Sequence, residues 1–194
     1  MSMNKYSQDQ YLKIKEDALL AIAGERSFVY SHSNYPSHSQ NSGACLPDEK
    51  DLYKERLAVA NVEMRQDIQT ISEQDPQAII IIAGDHGPYL TKNCVTLAEE
   101  YEQSEIDRLD LQDRYGTFLA IRWPTGDYMD YDEIKILQDI FPTVFSYLYQ
   151  DPEFLKLKVE PITIRPGTVS DVIVDHGVIV GGIDDGEALF ENGQ

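Results

Sequence analysis

The sequence predicts an α/β fold, a three-layer α/β/α sandwich with helices on both faces of a mostly parallel sheet. Short, wholly apolar runs such as "AIIIIAG" (78–84) are typical of strands that are covered on both faces. Longer segments with helical spacing of their apolar residues alternate with these runs, which favours a parallel sheet. We therefore interpret residues 1–194 as a single α/β domain.

The first half of the chain supplies two predicted helices and two predicted strands. Residues 1–25 are interpreted as an N-terminal helical segment, since apolar side chains recur at helical spacing over 6–24. "RSFVYSHS" (26–33) is predicted to be a buried strand, and the following loop is rich in Pro, Ser, Asn and Gly. A long helix is predicted over 50–73, and the proline at 76 favours its end there.

The second half continues the same alternation. The polar segment 88–113 predicts a short acidic helix over the sheet edge, and "YGTFLAIRW" (115–123) predicts the next strand. A helix with an aspartate cap is expected over 131–149, where Pro142 would kink or split it. Residues 26–150 would thus form the core of the domain, and 151–194 a β-rich tail of short strands and hairpins.

The charge and composition exclude some classes of function. A net charge of −18 and a pI near 4.4 oppose binding to the phosphate backbone of nucleic acid. No apolar run approaches the ~20 residues of a transmembrane helix, and the N-terminus lacks the apolar core of a signal peptide. Cys45 and Cys94 are the two cysteines, and the sequence leaves open whether they are free thiols or a disulfide.

Three histidines follow predicted strands. Asp85 and His86 lie just past the isoleucine strand, where α/β folds bind ligands, and this pair suits a divalent metal such as zinc or manganese. The alternative is a turn aspartate beside an exposed histidine. His32 follows the strand residues "RSFVYS", and His38 lies in the loop after it; parallel neighbouring strands would bring that loop beside residues 85–87.

Two further residues complete the candidates. Lys92 follows the Asp85 turn and could offer a positive charge to an anionic substrate. His176 belongs to a second Asp-His-Gly, inside "VIVDHGVIV", where strand alternation predicts a structural or surface histidine on a sheet face.

The order of these motifs resembles the C-terminal half of the alkaline phosphatase and sulfatase superfamily. The resemblance covers about residues 26–150: "FVYSHSNYPSHS", a helix with a central Asn61, "AIIIIAGDHG" and "DLQDRYGTFLAIRWP". It implies that Asp85 and His86 are metal ligands, and that His32 or His38 contacts a phosphate or sulfate ester or binds a second metal. The metal would be zinc, manganese, calcium or magnesium.

The resemblance also implies a function and a location. The chain would be the C-terminal portion of a metal-dependent hydrolase or transferase that works on the extracytoplasmic face of a bacterial membrane. The nucleophile and an acidic ligand, which the family carries in its N-terminal half, have no counterpart before residue 26. We therefore expect weak metal binding and little catalysis by these 194 residues, and a homodimer through an exposed sheet edge is plausible. The alternatives are a non-catalytic binding or regulatory module with this fold and an unrelated α/β domain.

Overall fold

The computed structural model describes ten ranges of the chain: 7–21, 26–33, 35–37, 47–88, 90–92, 103–131, 133–163, 173–176, 178–180 and residue 183. They contain four α-helices: α1 (Gln8–Ala21), α2 (Glu49–Gln74), α3 (Arg108–Tyr115) and α4 (Ile140–Tyr149). They also contain five short strands: β1 (Ile80–Ala83), β2 (Leu119–Arg122), β3 (Ile162–Thr163), β4 (Ile173–Asp175) and β5 (Val178–Val180). The mixed α/β class that the sequence predicts is confirmed.

Strand direction differs from the prediction. β1 pairs with β2 in antiparallel register, from Ile80 opposite Arg122 to Ala83 opposite Leu119. The tail strands form a second antiparallel sheet in the order β3-β4-β5. The prediction of a mostly parallel sheet is therefore wrong for the strands that the structure describes, and these two sheets do not show a three-layer sandwich. An apolar run satisfies its backbone hydrogen bonds in either direction, so burial alone does not set the direction of pairing.

The segment 26–33 is not a buried strand. It has no regular secondary structure, and the side chains of Phe28, Val29 and Tyr30 are 74%, 42% and 77% exposed. Ser31 at its far end hydrogen-bonds to Tyr11 of α1 through their hydroxyls, at 2.6 Å. Aromatic and β-branched composition favours a strand only where a neighbouring strand and an apolar layer are present to receive it.

The long helix is confirmed and the last one is shorter than expected. The prediction over 50–73 agrees with α2. The predicted helix over 131–149 starts only at Ile140, after two 3₁₀ turns at Met129–Tyr131 and Leu137–Asp139. Pro142 lies in the first turn of α4, where a backbone N–H has no partner inside the helix, so it neither kinks nor splits the helix.

The core lies between α4 and one face of the β1–β2 pair. Trp123 and Tyr147 form its centre, with ring centroids 4.7 Å apart, and the Tyr147 hydroxyl lies 2.9 Å from Thr125 Oγ1. Ile81 of β1 and Ile121 of β2 pack against it from the same face of the pair. This layer fixes β1, and hence the turn that follows β1, to the rest of the domain.

A buried ion cluster fastens α1 to α2. Lys15 Nζ lies 2.7 Å from Glu63 Oε1 and 2.8 Å from Asp67 Oδ2, and the side chains of Lys15 and Glu63 are each 8% exposed. Burial alone would lower the pKa of Lys15, but its hydrogen bonds to the two carboxylates outweigh burial and raise it. Burial raises the pKa of Asp67 despite the ammonium beside it. The cluster therefore depends on all three charges being present.

None of the helices in these ranges combines the length and the apolar character needed to cross a membrane.

Replacing Lys15 with methionine should destabilise the protein by about 3 kcal/mol, because the buried Glu63 and the half-buried Asp67 would lose their cation. Urea denaturation followed by circular dichroism measures the change. The matched control is Lys13→Met, whose ion pair with Asp17 is exposed on α1; we expect a change within about 0.5 kcal/mol. Equal effects of the two substitutions would contradict the role of the cluster.

Candidate functional site

The turn at Gly84–Gly87 lies directly beyond the carboxyl end of β1. Gly84 N donates to Phe118 O at 2.9 Å, which continues the β1–β2 ladder by one more bond. Asp85 and His86 then leave the strand pair together, at the position that the sequence predicts for them. The core layer under β1 thus holds both candidate ligands at one edge of the sheet.

Two glycines make this turn possible because the end of α3 lies against it. A Cβ on Gly87 would be 1.8 Å from the Asp113 carbonyl oxygen, and a Cβ on Gly84 would be 2.4 Å from Thr117 Oγ1. Gly87 N also donates to Arg114 O at 3.0 Å. Any side chain at position 87 would force the turn away from the last turn of α3.

The hydrogen bonds of His86 define its tautomer. Its Nδ1 lies 2.9 Å from Gly87 O, and a carbonyl oxygen can only accept, so Nδ1 carries the proton. In the neutral ring Nε2 then carries the lone pair, which is the form of histidine that binds metals. The side chain is 24% exposed, so solvent reaches it.

Asp85 and His86 present their ligand atoms to each other. Asp85 Oδ1 accepts the His86 backbone N–H at 3.0 Å, and Asp85 Oδ2 lies 3.7 Å from His86 Nε2. Two ligand atoms on one tetrahedral zinc are ~3.4 Å apart, given the usual zinc–nitrogen and zinc–oxygen distances. The pair therefore fits a divalent metal as two of its ligands.

The pair has no third metal ligand nearby in the ranges that the structure describes. No group of three or more histidine, cysteine, aspartate or glutamate side chains there is arranged to hold a metal ion. Asp85 is 77% exposed and faces solvent. A protein metal site usually needs about three or four ligands, so Asp85 and His86 alone do not complete one.

Tyr53 of α2 was not predicted from the sequence and lies beside this turn. Burial is the largest cause of its raised pKa, followed by the negative charges of Asp113 and Asp85, while the Arg56 cation opposes them. Burial and these two negative charges thus favour the neutral hydroxyl over the phenolate. No sequence motif marks it, since only the packing of α2 near β1 brings it here.

The loop after His32 is attached to the same part of α2. Arg56 Nε donates to Pro36 O at 2.9 Å, and the Arg56 guanidinium lies 5.8 Å from the centre of the Tyr53 ring. His32 itself is exposed in the segment 26–33, and the parallel strand contact expected to place it beside Asp85 does not form. α2, instead of the sheet, connects this loop with the turn.

His38, Cys45 and Cys94 lie outside the described residues, so the predictions about them remain untested.

Lys92 is held at the beginning of α3. Its Nζ lies 3.1 Å from Asp110 Oδ2 and donates to Glu105 O at 2.8 Å, and its side chain is 18% exposed. Asp110 also forms a capping box with Asp107, in which each side chain accepts the backbone N–H of the other. These contacts give Lys92 a structural role, and its contact with a substrate anion stays a prediction.

The second Asp-His-Gly has a different structure. Asp175 pairs with Val178, so His176 lies in the two-residue turn between β4 and β5, with a φ of 49°. The prediction that His176 lies on a sheet face is therefore wrong. Alternation does not reveal where a strand reverses, whereas a polar residue followed by glycine is typical of a hairpin turn. His176 hydrogen-bonds to Asp175 through Nδ1, and its Nε2 lies 2.8 Å from Glu160 Oε2.

Comparisons with known proteins do not assign the chain to a family: no family model, curated protein or solved structure matches it.

Replacing Gly87 with alanine should destabilise the protein by about 1–3 kcal/mol, since the new methyl group would overlap the Asp113 carbonyl. Gly126→Ala is the matched control, because a Cβ there meets no atom within 4 Å. Urea denaturation of both variants gives the comparison. A Gly87 variant as stable as the Gly126 variant would show that α3 does not constrain the turn.

The pKa of His176 should lie above the ordinary ~6.5 of histidine, because Asp175 first and Glu160 second stabilise the imidazolium. A raised pKa means that His176 stabilises the folded protein below pH ~6.5, and that this contribution is lost as pH rises through the folded-state pKa. NMR titration of the histidine ring protons measures it, and Asp175→Asn and Glu160→Gln should each lower it. A pKa at or below the ordinary value would contradict the contacts.

Proposed function

We propose that this chain supplies one side of a divalent metal site, in a hydrolase or transferase that acts on phosphate or sulfate esters. Asp85 and His86 are the metal ligands of the proposal. The other ligands and the nucleophile would come from outside the region of resemblance, 26–150. On this proposal the chain is the C-terminal portion of a sulfatase-like enzyme and has little activity alone.

One observation carries the proposal. Because His86 Nδ1 donates to the Gly87 carbonyl, the metal-binding Nε2 is directed toward the Asp85 carboxylate, 3.7 Å away. The turn that holds them follows β1 and contacts the end of α3. In known metal sites a ligating histidine commonly donates its other ring N–H to a backbone carbonyl or a carboxylate, as His86 Nδ1 does to Gly87 O.

The remaining side chains have roles that follow from their chemistry. The metal, when bound, would neutralise negative charge on the ester and activate an attacking group. Tyr53 would donate a hydrogen bond to an ester oxygen beside the metal, since burial first, and the negative charges of Asp113 and Asp85 after it, raise its pKa. His32 and His38 stay candidates for contact with the anion. Lys92 would stabilise the N-terminus of α3 and add positive charge near the anion.

The finer fold belongs to the same proposal. A three-layer α/β/α sandwich with a mostly parallel sheet would place the β1–β2 pair at its margin, since α/β folds often carry an antiparallel edge strand on a parallel sheet. The extracytoplasmic location at a bacterial membrane follows from the resemblance alone.

A second candidate is a non-catalytic binding or regulatory module. It is favoured by the same turn, because Asp85 is 77% exposed and the described residues offer it no third ligand. Such a module would bind metal or anion at the turn without turning over an ester.

Metal binding should be weak and should depend on the first Asp-His-Gly. We expect Zn²⁺ titrated into the protein to shift the NMR signals of His86 and Tyr53, and Asp85→Asn or His86→Gln to weaken binding by about tenfold or more. The matched control is Asp175→Asn with His176→Gln in the second Asp-His-Gly, which should leave binding at the turn unchanged. If the NMR signals of His86 are unchanged by both Zn²⁺ and Mn²⁺, the proposed metal site is wrong.

An assay of ester hydrolysis by the native gene product distinguishes the enzyme from the non-catalytic module. Hydrolysis of p-nitrophenyl phosphate or sulfate that Asp85→Asn abolishes supports the enzyme. Metal binding at His86 without such hydrolysis supports the module.

A further inference from the structure

Helix α4 is apolar on two opposite sides. Ile140, Val144 and Tyr147 belong to the core. A second set of large side chains points away from the core and is between 39% and 68% exposed: Phe141, Phe145, Leu148 and Tyr149, which we call the α4 outer face. Helices that are apolar all round are typically buried, so this helix has a covered side and a side that is expected to be covered.

Aromatic rings extend the α4 outer face beyond the helix. Phe28 lies 6.2 Å from Phe141 between ring centroids, and Phe154 lies 6.0 Å from Phe145 and is stacked on Tyr149 at 5.6 Å. At about 200 Å² per large side chain, the exposed parts of Phe28 and the α4 outer face amount to roughly 600 Å². A stable interface takes about 800 Å² from each partner, so this patch would form the apolar centre of such an interface, and surrounding polar residues would supply the rest.

The distribution of charge favours a second copy as the partner. Residues 140–150 contain no charged side chain, in a chain with a net charge of −18. A basic partner would be attracted to the acidic surface elsewhere, because this helix has no negative charge to pair with it. Two identical acidic chains repel each other over most of their surfaces, and an uncharged face is where they can meet with the least repulsion.

The spacing of the rings is symmetric. Phe141 and Tyr149 are each four residues from Phe145, at 5.9 Å and 6.4 Å between ring centroids. If two copies of α4 pack antiparallel about a two-fold axis at Phe145, then Phe141 of each meets Tyr149 of the other. Such self-complementarity is what an interface between identical chains requires.

We propose that the α4 outer face is the contact surface of a two-fold symmetric homodimer, with Phe145 at the axis. The antiparallel pairing covers the apolar side of α4 and leaves the Asp85 turn outside the interface. It is a different surface from a sheet edge, and it does not depend on the proposed metal site.

Sedimentation velocity of the full chain tests the dimer. Between about 1 and about 100 μM, a range typical of moderate interfaces of this size, we expect a dimer that dissociates on dilution. Phe145→Glu should weaken association by about 30-fold or more, because it places two carboxylates at the axis. The control is Phe118→Glu, which changes a 60% exposed phenylalanine outside the α4 outer face and should leave the dimer intact.

The direction of packing has its own test. The double variant Phe141→Lys/Tyr149→Glu should dimerise more strongly than Phe141→Glu/Tyr149→Glu, since antiparallel packing pairs opposite charges in the first and like charges in the second. Circular dichroism confirms that each variant is folded. A monomeric wild-type chain, a dimer that tolerates Phe145→Glu, or α4 binding to lipid vesicles by a monomer would each overturn the proposal.

Discussion

The Gly87 backbone lies against the last turn of α3, and this contact organises the region around the candidate site. No side chain fits between Gly87 and the Asp113 carbonyl, while the Gly87 N–H bonds to the next carbonyl along. Because α3 leads within a few residues into β2, the same contact helps to set the β1–β2 register. The Asp113 side chain in turn accepts the backbone N–H of Thr91 at 2.9 Å, so the chain beyond the turn is held to the same helix end. Stability and the geometry of the candidate ligands thus depend on one close approach.

α2 connects the turn, the loop at Pro36 and α1, which a larger sheet would do in a parallel α/β fold. One end of it carries Tyr53 and Arg56 between the turn and the loop at Pro36. The middle of α2 is joined to α1 through the buried Lys15–Glu63 ion pair. This pair contributes less net stability than an apolar contact of equal size, since both charges lose their hydration. Removing either charge of the pair is nevertheless strongly destabilising, because the other charge stays buried without a partner. The pair therefore fixes the position of α1 on α2.

The two Asp-His-Gly sequences show how context assigns different roles to the same residues. At 85–87 the histidine donates to its own turn and presents Nε2 toward a carboxylate. At 175–177 both ring nitrogens of the histidine are engaged by carboxylates, at a hairpin with an exposed surface. The carboxylates of Asp175 and Glu160 stabilise the His176 imidazolium and raise its pKa. At the first turn, Asp85 instead accepts the backbone N–H of His86, and its second oxygen lies 3.7 Å from the ring.

The sequence by itself determined the mixed α/β class, the extent of α2, the isoleucine strand and the position of Asp85 and His86 at its end. These features follow from local periodicity and from glycine and proline, whose effects act within a few residues. Only the tertiary structure decided the antiparallel pairing of β1 with β2, the exposure of 26–33, and the arrival of Tyr53 beside the turn. The tertiary structure also decided that α4 begins at Ile140, which packs in the core with Trp123. Each of these depends on contacts between residues far apart in the chain, and local pattern carries no information about which distant surface a given apolar run will meet.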